Sequence, residues 1–301
     1  MFSKYNVDSM LLYSYIKNRE YKKLKIEYIL FIRGGIVMDK NFFIAKSFEE
    51  AVSLKKQYGS TGKYIVGGTE LNVRINKDDY NVLIDISNLI SHEINWNNDK
   101  TEIFVGAGAT FQEIYKNEDA PYQLRMAAEY MSTHNIRNMA TIGGNIGTGS
   151  TVGDFIPTLL VLQAKLKLFD CEELITVERY IEEKIECLIQ YVVISKENLD
   201  KIYNSKSYRR VSSDFSIIGV AVTYKKVHNT YTDIKIAVGG MGAKVKRVRE
   251  VEKELEGKEL TREIIMKIMQ EKVKSRSSIL RGSAEFREYT AAEMAAQCFG
   301  L

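Results

Sequence analysis

Ala140-Thr141-Ile142-Gly143-Gly144-Asn145-Ile146 is the stretch that decides the reading of this 301-residue chain. Downstream it runs into Gly153-Asp154-Phe155-Ile156-Pro157. Far upstream, Tyr64-Ile65-Val66-Gly67-Gly68-Thr69-Glu70-Leu71 repeats the theme. Each segment has an apolar or small-residue lead-in, a glycine pair and a closing hydroxyl or amide. That chemistry suits a backbone loop around an anion. Successive N–H groups donate where the chain turns tightly, and glycine permits both the turn and a close ligand approach. Thr69 could add a hydroxyl to the first loop, and Thr141, Asn145 and Thr148 could donate in the second. Two matched loops suggest a ligand with a long phosphate bridge, such as a dinucleotide. Asp154 has two readings: cap of the helix that Pro157 helps to start, or acceptor for ligand hydroxyls. The two can coexist.

The elements around these loops follow from local signals. Ser47-Phe48-Glu49-Glu50 reads as a capping box opening a helix to about Tyr58, stopped by Gly59. Strands are expected at Lys63–Val66, Val82–Ser87 and Thr101–Val105. Thr110-Phe111-Gln112-Glu113 is a second capping box, and a further helix is expected over about Arg125–Ser132. Pro157–Gln163 reads as a helix with proline in its first turn, and Lys165–Phe169 and Tyr191–Ser195 as strands. Asn198–Ser207 is polar and reads as a domain boundary. Ser216–Tyr224 and Asp233–Val238 are strand-like, and the last sixty residues are helical. There Ile264, Ile265, Ile268 and Met269 share one face, and Phe286 and Tyr289 another behind a Ser283 cap. Strands and helices mix without strict alternation, so the expected class is α+β.

Composition narrows the function. The net charge of +4 is confined to residues 1–37, which hold seven Lys/Arg and three Asp/Glu; the remainder carries 36 of each sign. A neutral body offers no footprint for nucleic acid. No apolar run reaches the ~18 residues of a membrane span. Cys171, Cys187 and Cys298 show no CxxC spacing, which argues against an iron–sulfur or zinc site; each reads as a small buried apolar residue, and the set fits a reducing cytoplasm. His92, His134 and His228 are scattered and form no catalytic motif. Gly106-Ala107-Gly108-Ala109-Thr110-Phe111 lacks the third glycine of a dinucleotide fingerprint and reads as a structural turn. Lys244–Arg249 reads as a solvated face. Residues 1–37 differ in composition from the rest, and Arg33-Gly34-Gly35 can be encoded by a purine-rich ribosome-binding sequence. The expectation is that translation starts at Met38 and that residues 1–37 are leader; the rival is a basic partner-binding arm.

Residues 64–71 and 136–157 together resemble the FAD-binding subunit of molybdenum hydroxylases, the group with the flavin subunits of xanthine dehydrogenase and carbon monoxide dehydrogenase. Ile136-Arg137-Asn138-Met139-Ala140-Thr141-Ile142-Gly143-Gly144-Asn145 is the most specific part. The resemblance continues through Lys206-Ser207-Tyr208-Arg209-Arg210 and Asp214-Phe215-Ser216-Ile217-Ile218 to Leu280-Arg281-Gly282-Ser283-Ala284. It implies a two-lobed FAD-binding domain of the p-cresol methylhydroxylase type followed by a smaller α+β C-terminal domain. The corresponding boundaries are residues 38–200, with lobes of about 38–95 and 96–200, and residues 201–301. It also implies the FAD contacts: Ile65, Val66, Gly67, Gly68, Thr69, Glu70 and Leu71 around the pyrophosphate; Thr141, Gly144, Asn145, Thr148 and Asp154 in the second loop; then Leu188 and Lys206. Met131 stands where relatives with a fused flavin domain carry a phenylalanine near the flavin. Ile194 replaces a usual proline, and Gly149-Ser150-Thr151 replaces Ala–Ser–Pro.

The function this implies is electron transfer. A molybdenum-cofactor subunit would oxidise substrate, with a purine such as xanthine as the expected one. An iron–sulfur subunit would relay electrons, and this chain would pass them through FAD to NAD⁺ or another acceptor. No side chain here reads as an acid–base catalyst, which suits a subunit whose cofactor carries the chemistry. Two alternatives stand beside it: a self-standing FAD-dependent oxidoreductase on the same fold, and a nucleotide-binding scaffold without flavin.

Overall fold

The computed structural model describes residues 41–71, 80–151, 154–211, 214–278 and 282–301. The start-site reading at residues 1–38, Gly153 of the second loop, and Leu280 and Arg281 of the C-terminal motif lie outside the described residues. The chain forms two compact units, one ending at Ile90 and the other beginning at Ser91.

The first unit is a small parallel sheet with one helix. Strand β1 (Asn41–Ile44) leads to helix α1 (Phe48–Tyr58), then β2 (Gly62–Ile65) and β3 (Val82–Asp85). The order is β1-β3-β2, with both pairs parallel. Ser47 caps α1 by accepting from the Glu50 N–H. The return bond of the expected capping box is displaced by one residue: Glu50 accepts from Lys46 N–H at 2.7 Å. Gly59 ends the helix at a φ of 53°. Ile65, Tyr80 and Leu83 form the core, with Phe42 and Leu71 packed against it.

The second unit opens with β4 (Ile94–Trp96) and β5 (Glu102–Gly106). Short helices follow: α2 (Phe111–Lys116), α3 (Tyr122–Glu129), α4 (His134–Arg137), α5 (Ile142–Thr148) and α6 (Ile156–Val161). Then come β6 (Lys165–Leu168), β7 (Ile175–Thr176), α7 (Val177–Glu182) and β8 (Ile189–Ser195), giving an antiparallel sheet of order β4-β5-β8-β6-β7. The Thr110 capping box is complete: Glu113 N–H donates to Thr110 Oγ1, and Thr110 N–H donates to Glu113. Helix α3 starts three residues before the expected Arg125, because Pro121 frees the chain to begin there.

After α8 (Lys196–Leu199), the chain forms β9 (Ile202–Tyr208), β10 (Ile218–Val227), β11 (Thr230–Gly239) and β12 (Lys246–Arg247). Helix α9 (Arg249–Leu255), β13 (Lys258–Glu259), α10 (Arg262–Lys272) and α11 (Ala284–Cys298) complete it. The sheet order is β12-β11-β10-β9, with β13 on β11. The polar stretch 198–207, expected as a boundary, therefore contains an edge strand. Its backbone pairs with β10, and of its run of polar residues, Asn204 to Ser207, only Lys206 is exposed. Ile265, Ile268 and Met269 are buried as their spacing requires, whereas Ile264 is half-buried. Ser283 caps α11, but Phe286 and Tyr289 are exposed; the helix instead buries Ala291, Ala292, Ala295 and Ala296, whose small side chains let it approach the sheet closely.

Two readings are corrected by the structure. Of the cysteines only Cys298 is buried; Cys187 is exposed and Cys171 intermediate. The run Lys244–Arg249 is held rather than free. Lys244 Nζ donates to the carbonyls of Ile181 and Glu182, where a helix C-terminus favours a cation. Arg247 forks onto buried Glu252, and Arg249 onto Glu178.

Candidate functional site

Residues 65–71 leave β2 as a turn pinned at both ends. Ile65 is buried in the core, and its carbonyl accepts from Ile86 N–H. Val66 offers its carbonyl to Ser87 Oγ at 3.5 Å, and Leu71 accepts from the fully buried Tyr80 hydroxyl at 2.8 Å. Between these anchors Gly67, Gly68, Thr69 and Glu70 are half-buried. Gly68 has a φ of 65°, in the left-handed region that glycine enters without strain.

The second glycine pair is not a loop. It forms helix α5, with Thr141 as a buried N-cap whose Oγ1 accepts from Gly144 N–H at 3.1 Å. Ile142 and Ile146, one turn apart, are buried inward. Gly143 faces the turn at residues 106–109: a Cβ there would stand 2.7 Å from Ala107 Cβ and 2.8 Å from its carbonyl oxygen. That close approach explains a glycine inside a helix, and confirms the Gly106–Ala109 segment as a structural turn, closed by Ala109 N–H to Gly106 O. The opposite face carries Gly144, Gly147 and Thr148, all exposed, so it presents nearly bare backbone. Thr148 Oγ1 donates to Asn145 O. Asn145 Oδ1 is buried and has no partner.

We expect Gly143→Ala and Gly147→Ala to act in opposite directions. The first must displace the Ala107 backbone and should cost about 1–3 kcal/mol of stability. The second meets nothing within 4 Å and should stabilise the flavin-free chain by about 0.5–1 kcal/mol, as expected for glycine replaced in a helix. Urea unfolding of both variants measures this; equal shifts would contradict the packing.

Asp154 does not cap α6. The N-cap position belongs to Phe155, with no side-chain bond. Instead Asp154 Oδ2 accepts from Arg209 Nη2 at 3.1 Å, and Oδ1 is buried without a partner. Only 8% of the Asp154 side chain is exposed. Burial pushes its carboxyl up to about 7, and the attraction of Arg209 offsets this only in part. Asp154 lines a cleft with Tyr130, Thr158, Ser205, Lys206 and Ser207. Lys206 projects from β9 across the strand from Val220. The fold thus brings together Asp154 and Lys206, which are far apart in sequence. Leu188 does not line this cleft: it is buried, and its carbonyl accepts from Phe169 N–H. Met131 is likewise buried, while the neighbouring Tyr130 is 49% exposed and reaches the cleft. Tyr130 and Arg209 are the residues that sequence reasoning assigned no role. Arg209 stood within a quoted motif, but its partner lies 55 residues away.

Arg137, from the most specific motif, serves the same wall. Its Nη1 donates to the carbonyls of Glu129, Met131 and Ser132, and its Nε to Gln112. It therefore holds the turn that carries Tyr130.

With this geometry in hand, the comparisons with known proteins are specific. Residues 38–193 match the FAD-binding domain in molybdopterin dehydrogenase, and residues 203–300 match the CO dehydrogenase flavoprotein C-terminal domain. The chain belongs to the FAD-binding subunits of the molybdenum hydroxylases. The Escherichia coli K12 protein YgfM is 28% identical over 264 residues, covering 87% of this chain and 96% of its own length. The nicotinate dehydrogenase FAD-subunit of Eubacterium barkeri is 36% identical over 139 residues, 43% of this chain and 46% of that subunit. In fold, a chain of the reconstituted CO dehydrogenase from Oligotropha carboxidovorans superposes with a TM-score of 0.77 at 20% identity. That match covers 90% of this chain and 98% of the other. The protein is accordingly an FAD-dependent oxidoreductase subunit of mixed α+β fold. No described helix is long and apolar enough to cross a membrane.

The residues present fit FAD. Two buried side-chain acceptors, Asn145 Oδ1 and Asp154 Oδ1, lack donors, and the nucleotide's sugar and ribityl hydroxyls are donors. A buried acceptor left unpaired costs on the order of 1–3 kcal/mol, so a ligand hydroxyl would recover that cost.

Proposed function

We propose that this chain is the electron-transfer subunit of a xanthine dehydrogenase-like molybdenum hydroxylase, holding FAD between partner clusters and a soluble acceptor. Bound FAD supplies the redox chemistry, accepting electrons singly and releasing them as a pair to NAD⁺ or another acceptor. The chain's own residues bind and orient it. Ile65 to Leu71, with Gly68 at its left-handed turn, cradle the pyrophosphate through backbone N–H groups. Thr141, Gly144, Asn145 and Thr148 offer the exposed face of α5. Asp154 accepts from a hydroxyl, and Lys206 supplies positive charge in the same cleft. Leu188 is buried and supports the fold rather than the cleft. The domain boundaries that accompany this reading are residues 38–200 for the FAD-binding domain and 201–301 for the C-terminal domain, with residues 1–37 as an extension. The cytoplasm is the proposed location.

The observation that carries this reading is the unpartnered Oδ1 of buried Asp154, a residue that lines the same cleft as Lys206, in a chain of this family. The names of the relatives support placing substrate chemistry elsewhere: nicotinate and carbon monoxide are chemically unlike, yet their dehydrogenases share this subunit type. Molybdenum and iron–sulfur subunits are the partners this requires. Native purification tests the proposal. A yellow complex should contain FAD, molybdenum and iron–sulfur subunits, and should reduce NAD⁺ or a dye acceptor. A protein that turns over substrate alone would favour the self-standing oxidoreductase. A colourless chain that cannot be reconstituted with FAD would refute both.

A further inference from the structure

We propose that Arg209 is a positioning residue for the flavin nucleotide: it holds the Asp154 carboxylate by one oxygen so that the other meets a ligand hydroxyl. The inference rests on the FAD reading above and goes beyond it, because Arg209 itself does not line the cleft. Its Nη2 bridges two groups that do, donating to Asp154 Oδ2 at 3.1 Å and to Ser207 Oγ at 2.8 Å. Arg209 is 13% exposed and Asp154 8%. A structural arginine–carboxylate pair favours the two-pronged arrangement that satisfies both oxygens. Here a single nitrogen serves the pair, and Oδ1 is left bare inside the protein. The arrangement resembles a half-built network whose missing member is a donor from outside the chain. Arg209 then has two effects. It fixes the rotamer of Asp154, and it favours the ionised form that accepts most strongly.

Among the described residues, the charged and titratable groups around Asp154 are Arg209, the cleft residues Lys206 and Tyr130, and Tyr203, which bonds Thr158 Oγ1 at 2.8 Å behind the cleft wall. No histidine is among the described residues that line the cleft. FAD binding should therefore follow the ionisation of Asp154, strengthening as pH rises through about neutrality, where Asp154 loses its proton. Removing the arginine charge raises the Asp154 proton affinity and moves that rise to higher pH.

The test titrates FAD into the flavin-free full-length chain, read by flavin fluorescence, between about pH 5.5 and pH 8.5. Arg209→Gln should weaken FAD roughly tenfold near neutrality and displace the rise upward by about one pH unit, and Arg209→Lys should restore most of both. Combined with Asp154→Asn, Arg209→Gln should add less than about threefold, because its effect acts through Asp154. A pH profile unmoved by Arg209→Gln, or an undiminished loss on top of Asp154→Asn, overturns the assignment. Should Arg209→Gln fail to fold, Ser207→Ala removes the second anchor of Nη2 and should cost about threefold; no loss there overturns it equally. Wild-type protein that binds no FAD at any pH refutes the FAD reading as well, whereas binding with an unmoved profile refutes this inference alone.

Discussion

Gly68→Val is expected to leave the protein without FAD: purified variant should be colourless, with affinity down by more than about 100-fold. Two effects combine at this position. The φ of 65° places Gly68 in the left-handed region, where a β-branched residue is a genuine outlier and costs about 1–2 kcal/mol or more. The turn cannot relax to escape that cost, because the Ile86 N–H bond to Ile65 and the Tyr80 hydroxyl bond to Leu71 tie its two ends to the core. The valine methyls would also occupy the backbone approach that a pyrophosphate needs. Gly59→Val separates the two effects. Gly59 has a φ of 53° in the same unit, and a Cβ there meets nothing within 4 Å. With a ψ of −130° it lies outside the left-handed helical region and carries backbone strain of its own without facing the ligand, so it should lose stability and keep FAD. Flavin-to-protein ratios for the two variants measure this; equal FAD loss would show that the Gly68 effect acts through folding alone.

What could be read from the sequence divides along physical lines. Signals confined to a few neighbouring residues were legible. The Thr110 capping box, the Ser47 and Ser283 caps and the Gly59 stop are local hydrogen-bond or backbone arrangements, and the structure contains each. Signals that depend on distant contacts were not. Ile142–Thr148 contains Gly143, Gly144 and Gly147, each costing a helix about 1 kcal/mol relative to alanine, so the segment reads as a loop. The packing of Gly143 on Ala107 and the Thr141 cap outweigh that propensity. Strand β9 was hidden because four consecutive polar residues, Asn204 to Ser207, interrupt the alternation that marks a strand. In the candidate site, the glycine-rich segments stood out as candidates for an anion-binding backbone, and Asp154 was singled out with its role undecided. Its pairing with Arg209 joins two segments that only the fold brings together. Met131, which stands where relatives carry a phenylalanine, is buried, whereas its neighbour Tyr130 lines the cleft.

Asp154→Asn should produce opposite changes in stability and in FAD affinity, and the stability change should depend on pH. In the flavin-free chain, burial raises the Asp154 carboxyl from its ordinary 3.8 to about 7, with Arg209 pulling the other way. The sign follows from proton counting. Between about pH 4 and pH 7 the folded chain holds a proton that the unfolded chain has released, so stability falls as pH rises across that window. Each pKa unit corresponds to about 1.4 kcal/mol, and structural relaxation reduces the full sum, leaving an expected loss on the order of 2 kcal/mol at pH 8. An asparagine has no proton to release. The variant should therefore be more stable than wild type at pH 8, nearly equal to it near pH 4, and flatter in its melting temperature between them. FAD reverses the ranking. A hydroxyl donating to an ionised carboxylate forms a charge-assisted bond worth about 1.5–3 kcal/mol, and the amide forfeits most of that, so the variant should bind FAD roughly tenfold to a hundredfold more weakly. Melting curves of the flavin-free protein across pH, set beside FAD titrations at pH 8, give both quantities. A variant that is destabilised at pH 8 would show that the Arg209 pair outweighs the cost of burial. A variant with unchanged FAD affinity would remove Asp154 from the site. The predicted combination, a more stable protein with a weaker ligand, is what a carboxylate held in place for binding at the expense of folding requires.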